Sequence, residues 1–217
     1  MTDPAQPLIR ARDRGLSRAR AIYPQGTALL VVDVQNATFN EAQETIRPQF
    51  FSAARDIVIP NLQRLVAAGR ARGVEVIYTV IENLTRDGRD RSLDYKLSDF
   101  FIAKGSWEAK VIDGLAPGED EMVLPKTSSS LFNSTNLDYV LRNIGINDLV
   151  VTGFLTDQCI DHTVKDGADR GYYVTCLTDG CMANTWERHE AALTCFRGYC
   201  RLMTTAEWLT LLETVAV

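Results

Sequence analysis

Histidine is almost missing from this 217-residue chain: His162 and His189 are the only two, and residues 34–125 contain none. A metal centre built on imidazoles is therefore excluded, and the cysteines do not replace one. Cys159, Cys176, Cys181, Cys195 and Cys200 are an odd, dispersed set. The five-residue steps 176–181 and 195–200 match no structural zinc pattern. Long apolar runs are missing too. Stretches such as 28–32 and 149–151 fall far short of the roughly 20 residues a membrane helix needs. The first twenty residues carry Asp3, Arg10, Arg12, Asp13, Arg14, Arg18 and Arg20 around no apolar centre, so no secretory signal is expected. Nor is there an excess of positive charge. The net charge of -5 leaves no electrostatic footprint for nucleic acid or an anionic membrane. Unpaired thiols and no signal together point to a reduced, cytoplasmic protein.

What is present is ample apolar material, 46% of residues, for one α/β core. No internal repeat, low-complexity tract or linker divides the chain. Residues 1–25 read as an arm ending at Pro24-Gln25-Gly26, and 26–217 as a single domain. The run TALLVVDV (27–34) predicts a central parallel strand buried on both faces. Residues 49–72 keep a helical period through Phe51, Ala54, Val58, Leu62 and Leu65 or Val66, with Pro60 predicting a kink or a late start. Gly73 stops this helix, and 74–81 reads as the second strand. Residues 83–118 are polar, irregular and too long for a simple connection, which marks a candidate active-site loop. A short strand over 121–124 is expected to end at Pro125. Strands at 148–153, 172–178 and 201–203 then alternate with helices at 136–143, 157–170, 187–198 and 206–214. Such alternation implies right-handed βαβ units, hence a three-layer α/β/α domain around a parallel sheet of about six strands.

In open parallel sheets ligands bind outside the carboxyl ends of the strands, where strand order reverses. Reactive residues at those ends are Asp33, followed by Gln35 and Asn36; Lys126, followed by Thr127-Ser128-Ser129-Ser130; and Cys159, after Gly153-Phe154-Leu155-Thr156-Asp157-Gln158. With Thr156 or Asp157 as cap, Cys159 falls in the first turn of a helix, where the dipole and free N–H groups would stabilise a thiolate. The same N–H groups could hold an oxyanion. Taken singly, each residue has a plainer reading: a helical cysteine as core filler, Asp33 as a turn residue, Lys126 as a solvated loop lysine. The conjunction of acid, base and thiol at three strand ends favours chemistry.

Three segments carry a family resemblance: LLVVDVQNAT (29–38), LPK (124–126) and VVTGFLTDQCIDHTVKDGADRGY (150–172). They resemble the isochorismatase-like cysteine hydrolases, a superfamily that includes nicotinamidases, N-carbamoylsarcosine amidases, biuret hydrolases and ureidoacrylate amidohydrolases. The similarity runs over nearly all of 27–212. It implies a strand order of 3-2-1-4-5-6, Asp33 as general base, Lys126 as its electrostatic partner and Cys159 as nucleophile. It also implies a cis peptide between Phe154 and Leu155, with the N–H groups of Leu155 and Cys159 forming the oxyanion hole. The implied reaction cleaves an amide or ureido C–N bond through a thioester and releases ammonia or an amine. No cofactor is implied, and homodimers or homotetramers are the family's usual assemblies.

Departures from family patterns narrow the choice. Nicotinamidases carry an Asp-x-His motif and further histidines that hold a metal, and this chain has neither. Isochorismatases proper hydrolyse a vinyl ether without needing the cysteine, so a full triad favours C–N hydrolysis. The stretch 103–126 looks most like the ureidoacrylate and carbamoyl-cleaving branch. For the pocket, Gln35, Asn83, Trp107 and Phe132 are candidate substrate contacts, Trp107 being equally readable as a core anchor. In loop 83–104, Arg86, Arg89, Arg91 and Lys96 could hold a substrate carboxylate. The interleaved Asp87, Asp90, Asp94 and Asp99 favour a self-paired, solvated loop instead. Two other functions stay open: hydrolysis of an isochorismate-type vinyl ether, and a non-catalytic or redox-sensing thiol protein.

Overall fold

Six consecutive residues with almost no solvent contact, Thr27–Val32, form the centre of the molecule as strand β1. Their continuous apolar character reflects burial on both faces. Ala28, Leu30 and Val32 point into one core, and Leu29 and Val31 into the other. The computed structural model describes residues 16–215. Around β1, β2 (Glu75–Ile81), β3 (Met122–Lys126), β4 (Asp148–Phe154), β5 (Tyr173–Met182) and β6 (Arg201–Met203) make an all-parallel sheet in the order β3-β2-β1-β4-β5-β6. This is the predicted three-layer α/β/α arrangement and strand order. Leu30 lies opposite Ile77 on one side and Val151 on the other. Order reverses between β1 and β4, so their carboxyl ends open onto one crevice.

One face of the sheet is covered by α2 (Pro48–Ala53), α3 (Ile59–Arg72) and α9 (Thr205–Thr214), through Phe50, Leu62, Leu65 and Trp208. On the other face lie α5 (Leu131–Ser134), α6 (Leu137–Asn143), α7 (Asp161–Asp169) and α8 (Trp186–Phe196), through Leu131, Leu141, Val164 and Phe196. Two short helices, α1 (Ala42–Ile46) and α4 (Leu93–Leu97), sit in connections. Of the arm expected over 1–25, residues 1–15 lie outside the described residues. The part that follows packs at the start of the strands, away from the crevice. Arg20 lies 4.2 Å over the Tyr173 ring and 3.6 Å from Asp148, and its carbonyl accepts from Arg201.

Four elements differ from the sequence reading. The helix over 49–72 is two helices joined without a break by a π-helical turn at Ala54–Val58, and Pro60, which has no N–H to give the helical ladder, stands just after that turn. Strand β3 runs through Pro125 to Lys126. It is an edge strand, so proline removes no bond on its open side. Strand β5 continues to Met182, with a register shift opposite Val151 and Gly153. The loop 83–118 contains α4, capped by Ser92 Oγ on the Tyr95 N–H, and it is pinned to the sheet by a bridge between Gln35 and Val111. No helix among the described residues is long and apolar enough to cross a membrane.

The close approach of β1 and β4 depends on one glycine. Gly153 has φ +112°, and a Cβ built there would stand 2.1 Å from the Val32 carbonyl oxygen. Gly171 also has a positive φ, +91°, but meets nothing within 4 Å. Gly171→Ala is therefore expected to cost only backbone strain, about 1–2 kcal/mol. Gly153→Ala adds a collision with main chain and should cost about 3 kcal/mol or more. Urea unfolding of the two variants checks this, and equal losses would contradict the close-approach account.

Candidate active site

Three strand ends deliver the reactive groups. Asp33, the first residue after β1, turns the chain with φ +54°, a left-handed conformation that aspartate tolerates better than most residues. Its N–H donates to Thr79 O at 3.0 Å, which keeps it at the sheet. Thr79, in β2, also donates its hydroxyl to Asp33 Oδ1 at 3.0 Å. Lys126 ends β3, and Cys159 follows β4. The Lys126 ammonium lies 2.9 Å from Asp33 Oδ2, donates to Cys159 Sγ at 3.3 Å and to Ser128 O at 2.9 Å. Asp33 Oδ2 has no directed hydrogen bond, so its contact with Lys126 is an ion pair that leaves a lone pair available. Asp33, Lys126 and Cys159 are 1%, 0% and 4% exposed, so their mutual interactions are little screened by water.

The turn that carries Cys159 is not the capped α-helical start read from the sequence. The Phe154–Leu155 peptide is cis. Thr156–Ile160 then forms a π-helical turn whose cap residue, Leu155, makes no side-chain cap bond. Thr156 contacts His189 Nδ1 at 2.8 Å, and Asp157 is ion-paired with Arg188. Two residues of α8 thus clamp the turn from outside. Burial lowers the pKa of His189, which keeps this contact uncharged.

The electrostatic consequence also departs from the helix-dipole expectation. Burial pushes the Cys159 thiol up to about 12; the Lys126 charge pulls it down without prevailing, and the Asp33 charge adds to the rise. For Lys126, burial works against the ammonium. The negative charges of Asp33 and of Cys159 as thiolate outweigh it, so the pKa ends above that of an ordinary lysine. The resting state is a neutral thiol beside a carboxylate–ammonium pair.

The thiol opens into a cleft of about 690 Å³ between loop 83–104 and the ends of β3 and β4. Its walls include Tyr95 and Phe100 from the loop, Ser128 and Ser129 after β3, and Asn133 and His162 opposite. Gln35, Asn83, Trp107 and Phe132, the four candidate substrate contacts, are not among the lining residues. Gln35 is fully buried and clamps the backbone, donating to Ile81 O and Glu108 O and accepting from Ile81 N. Phe132 is stacked on Tyr172 in the core. Trp107 is 57% exposed and lies outside the cleft, so it is no core anchor either. Asn83 is buried, with its N–H donating to Ile102 O. Thr79 and Tyr95 went unread in the sequence. Thr79 sits in an ordinary strand pattern, while the helix that brings in Tyr95 had only the Ser92 cap as a local sign. Among the described residues, no three His, Cys, Asp or Glu side chains are grouped to hold a metal ion.

Comparison with known proteins agrees with this geometry. The pattern of the isochorismatase domain family matches residues 27–207. The chain belongs to the isochorismatase family. Two curated members are similar along most of their length. Ureidoacrylate amidohydrolase RutB of Serratia proteamaculans is 34% identical over 180 residues, covering 74% of this chain and 71% of that protein. The Klebsiella pneumoniae protein of the same name is 35% identical over 187 residues, 79% and 78% respectively. A crystal structure of a cysteine hydrolase from Pseudomonas syringae superposes with a TM-score of 0.79 at 28% identity, over 97% of this chain and 99% of that one.

Two measurements follow. Cys159 ionises more readily in the unfolded chain than in the folded one. Its contribution to stability is therefore complete below the ordinary thiol value of 9.0 and is lost as pH rises from there toward about 12. Cys159→Ala should show a smaller fall in stability across that window than the parent protein, and iodoacetamide labelling of Cys159 should keep rising above pH 9. A labelling plateau near neutrality would contradict the neutral-thiol state. Separately, Lys126→Met leaves Asp33 buried and unpaired and should cost about 3–5 kcal/mol in urea unfolding, most of it recovered in the Asp33→Asn/Lys126→Met double variant.

Proposed function

We propose that this protein is a cysteine hydrolase that cleaves an amide or ureido C–N bond of a small molecule through a thioester, with Asp33, Lys126 and Cys159 as its catalytic groups. The observation that carries the proposal is one buried ammonium touching both a carboxylate and a thiol, 2.9 Å and 3.3 Å away, at the floor of an open cleft. A lone core cysteine needs no such partners. The names of the curated relatives, which are amidohydrolases, support C–N bonds as the target.

In the reaction, Asp33 takes the thiol proton as the sulfur attacks the carbonyl carbon. Proton loss and attack belong to one event, because the buried thiol holds its proton at rest. Negative charge then develops on the carbonyl oxygen. The N–H groups of Leu155 and Cys159 are the proposed donors, and no backbone carbonyl among the described residues accepts from Leu155 N–H. Ammonia or an amine departs with the proton that Asp33 holds. Asp33 next deprotonates a water that attacks the thioester; the C–S bond breaks, the acid product leaves, and Asp33 returns the proton to the Cys159 sulfur. Lys126 keeps the carboxylate oriented and offsets negative charge as it passes between oxygen and sulfur.

Cys159→Ala should release no ammonia from any accepted amide or ureido compound while keeping the parent's melting behaviour. Cys159→Ser should lose at least about 10³-fold in kcat/KM. Full turnover by the alanine variant, on an amide or on isochorismate, would overturn the nucleophile assignment.

A further inference from the structure

We infer that the cleft selects a substrate without a carboxylate, a neutral or cationic amide or urea, and discriminates against anionic ureido acids. The inference rests on the hydrolase reading for the reaction, and on the cleft walls for the charge. Among the described residues no arginine or lysine lines the cleft, whereas Asp94 and Asp157 do. Four of the five cations of loop 83–104 are engaged elsewhere, and the fifth, Arg86, is exposed and not among the cleft's lining residues. Arg89 pairs with Asp87 at 3.0 Å, and Arg91 donates to Gly88 O and Phe100 O while lying over the Phe101 ring. Lys96 donates to Arg89 O, and Lys104 to Leu84 O. Lys126 is beneath the floor, and Asp33 already cancels its charge.

Asp157 sharpens the point. Arg188 engages Oδ2 from α8, and the other oxygen, Oδ1, is buried with no hydrogen-bond partner. Arg188 offsets the charge of Asp157, so its unshared oxygen offers an acceptor to an N–H donor and no attraction to an anion, which leaves Asp94 as the unpaired negative charge among the lining residues described. His162 apart, the remaining polar wall is uncharged: the hydroxyls of Ser92, Ser128 and Ser129 and the amide of Asn133 suit an uncharged amide or urea. A substrate carboxylate would lose water on entering and gain no cation in return. An acrylate, the anion in the curated relatives' name, is a poor match to these walls.

The test uses the full-length protein at pH 8 and two methanethiosulfonate reagents of similar size, one ending in trimethylammonium and the other in sulfonate. Modification of Cys159 is read from its peptide by mass spectrometry, and the cation-to-anion rate ratio is divided by that for 2-mercaptoethanol. The normalised ratio should be about fivefold above unity, the effect of like and opposite charge a few ångströms away in a partly hydrated cleft. Asp94→Lys, at an exposed position on the rim, should bring it down toward or below unity. A parent ratio at or below unity overturns the inference. A second arm compares ammonia release from matched amides and ureas with and without a carboxylate. Faster turnover of the carboxylate-bearing members would overturn the charge inference and leave the hydrolase reading intact. No turnover across the panel, with the reagent preference present, would count against the hydrolase reading alone.

Discussion

A carboxylate and an ammonium ion held together without water, under a thiol, organise this molecule. Removing two charges from water is costly, and their attraction repays the cost only when geometry is good and other polar partners are in place. Both conditions are met: Thr79 holds one oxygen of Asp33, and Ser128 O takes a further proton of Lys126. A well-packed apolar pair in the same space would stabilise the fold at least as well. Stability therefore does not account for the pair. Its placement does, because the same ammonium reaches the sulfur of Cys159.

Three strands must end within a few ångströms of one another for that contact to exist. Parallel pairing of β3, β2, β1 and β4 brings their carboxyl ends to one side. The main-chain contact at Gly153 then draws β4 against β1 closely enough for the following turn to lean over Asp33. The turn is held as much from outside as from beneath. Thr156 and Asp157 face His189 and Arg188 of α8, so the position of the Cys159 thiol depends on α8 as well as on the sheet.

Much of this was legible in the sequence, for identifiable reasons. A strand buried on both faces has to be apolar throughout, so TALLVV reads as β1 and reports its central place. Asp33, Lys126 and Cys159 stand at or a few residues beyond the ends of apolar strands, and the topological rule for parallel sheets brings such positions together. The family motifs added the strand order and the cis peptide at Phe154–Leu155. What stayed hidden depends on side-chain direction in irregular chain. Gln35 sits two residues after Asp33 and looked like a pocket residue, but its amide is consumed by the backbone of Ile81 and Glu108. Phe132 follows the serine run into the core, and Trp107 turns to solvent. No periodicity announces either outcome. Tyr95 was hidden for the opposite reason: a five-residue helix leaves too short a pattern to read.

The thiol's elevated pKa is the feature hardest to anticipate, and it alters how the site works. A cysteine at an open helix end would rest as thiolate and react with any electrophile or oxidant that reached it. Cys159 is instead buried, and the cost of placing a negative charge out of water, with a smaller contribution from Asp33, exceeds what Lys126 returns. On the proposed reaction, resting as a neutral thiol would protect the nucleophile between turnovers. Activation would then need a bound carbonyl that takes up the charge as the sulfur loses its proton, tying reactivity to substrate geometry. The walls of the cleft impose a further condition. With Lys126 committed to the floor and Asp94 at the rim, no arginine or lysine among the described lining residues is left to meet an anion, so on the proposed selectivity substrate charge is sorted before chemistry begins. The burial that makes the thiol hard to ionise also makes an uncompensated substrate carboxylate unwelcome.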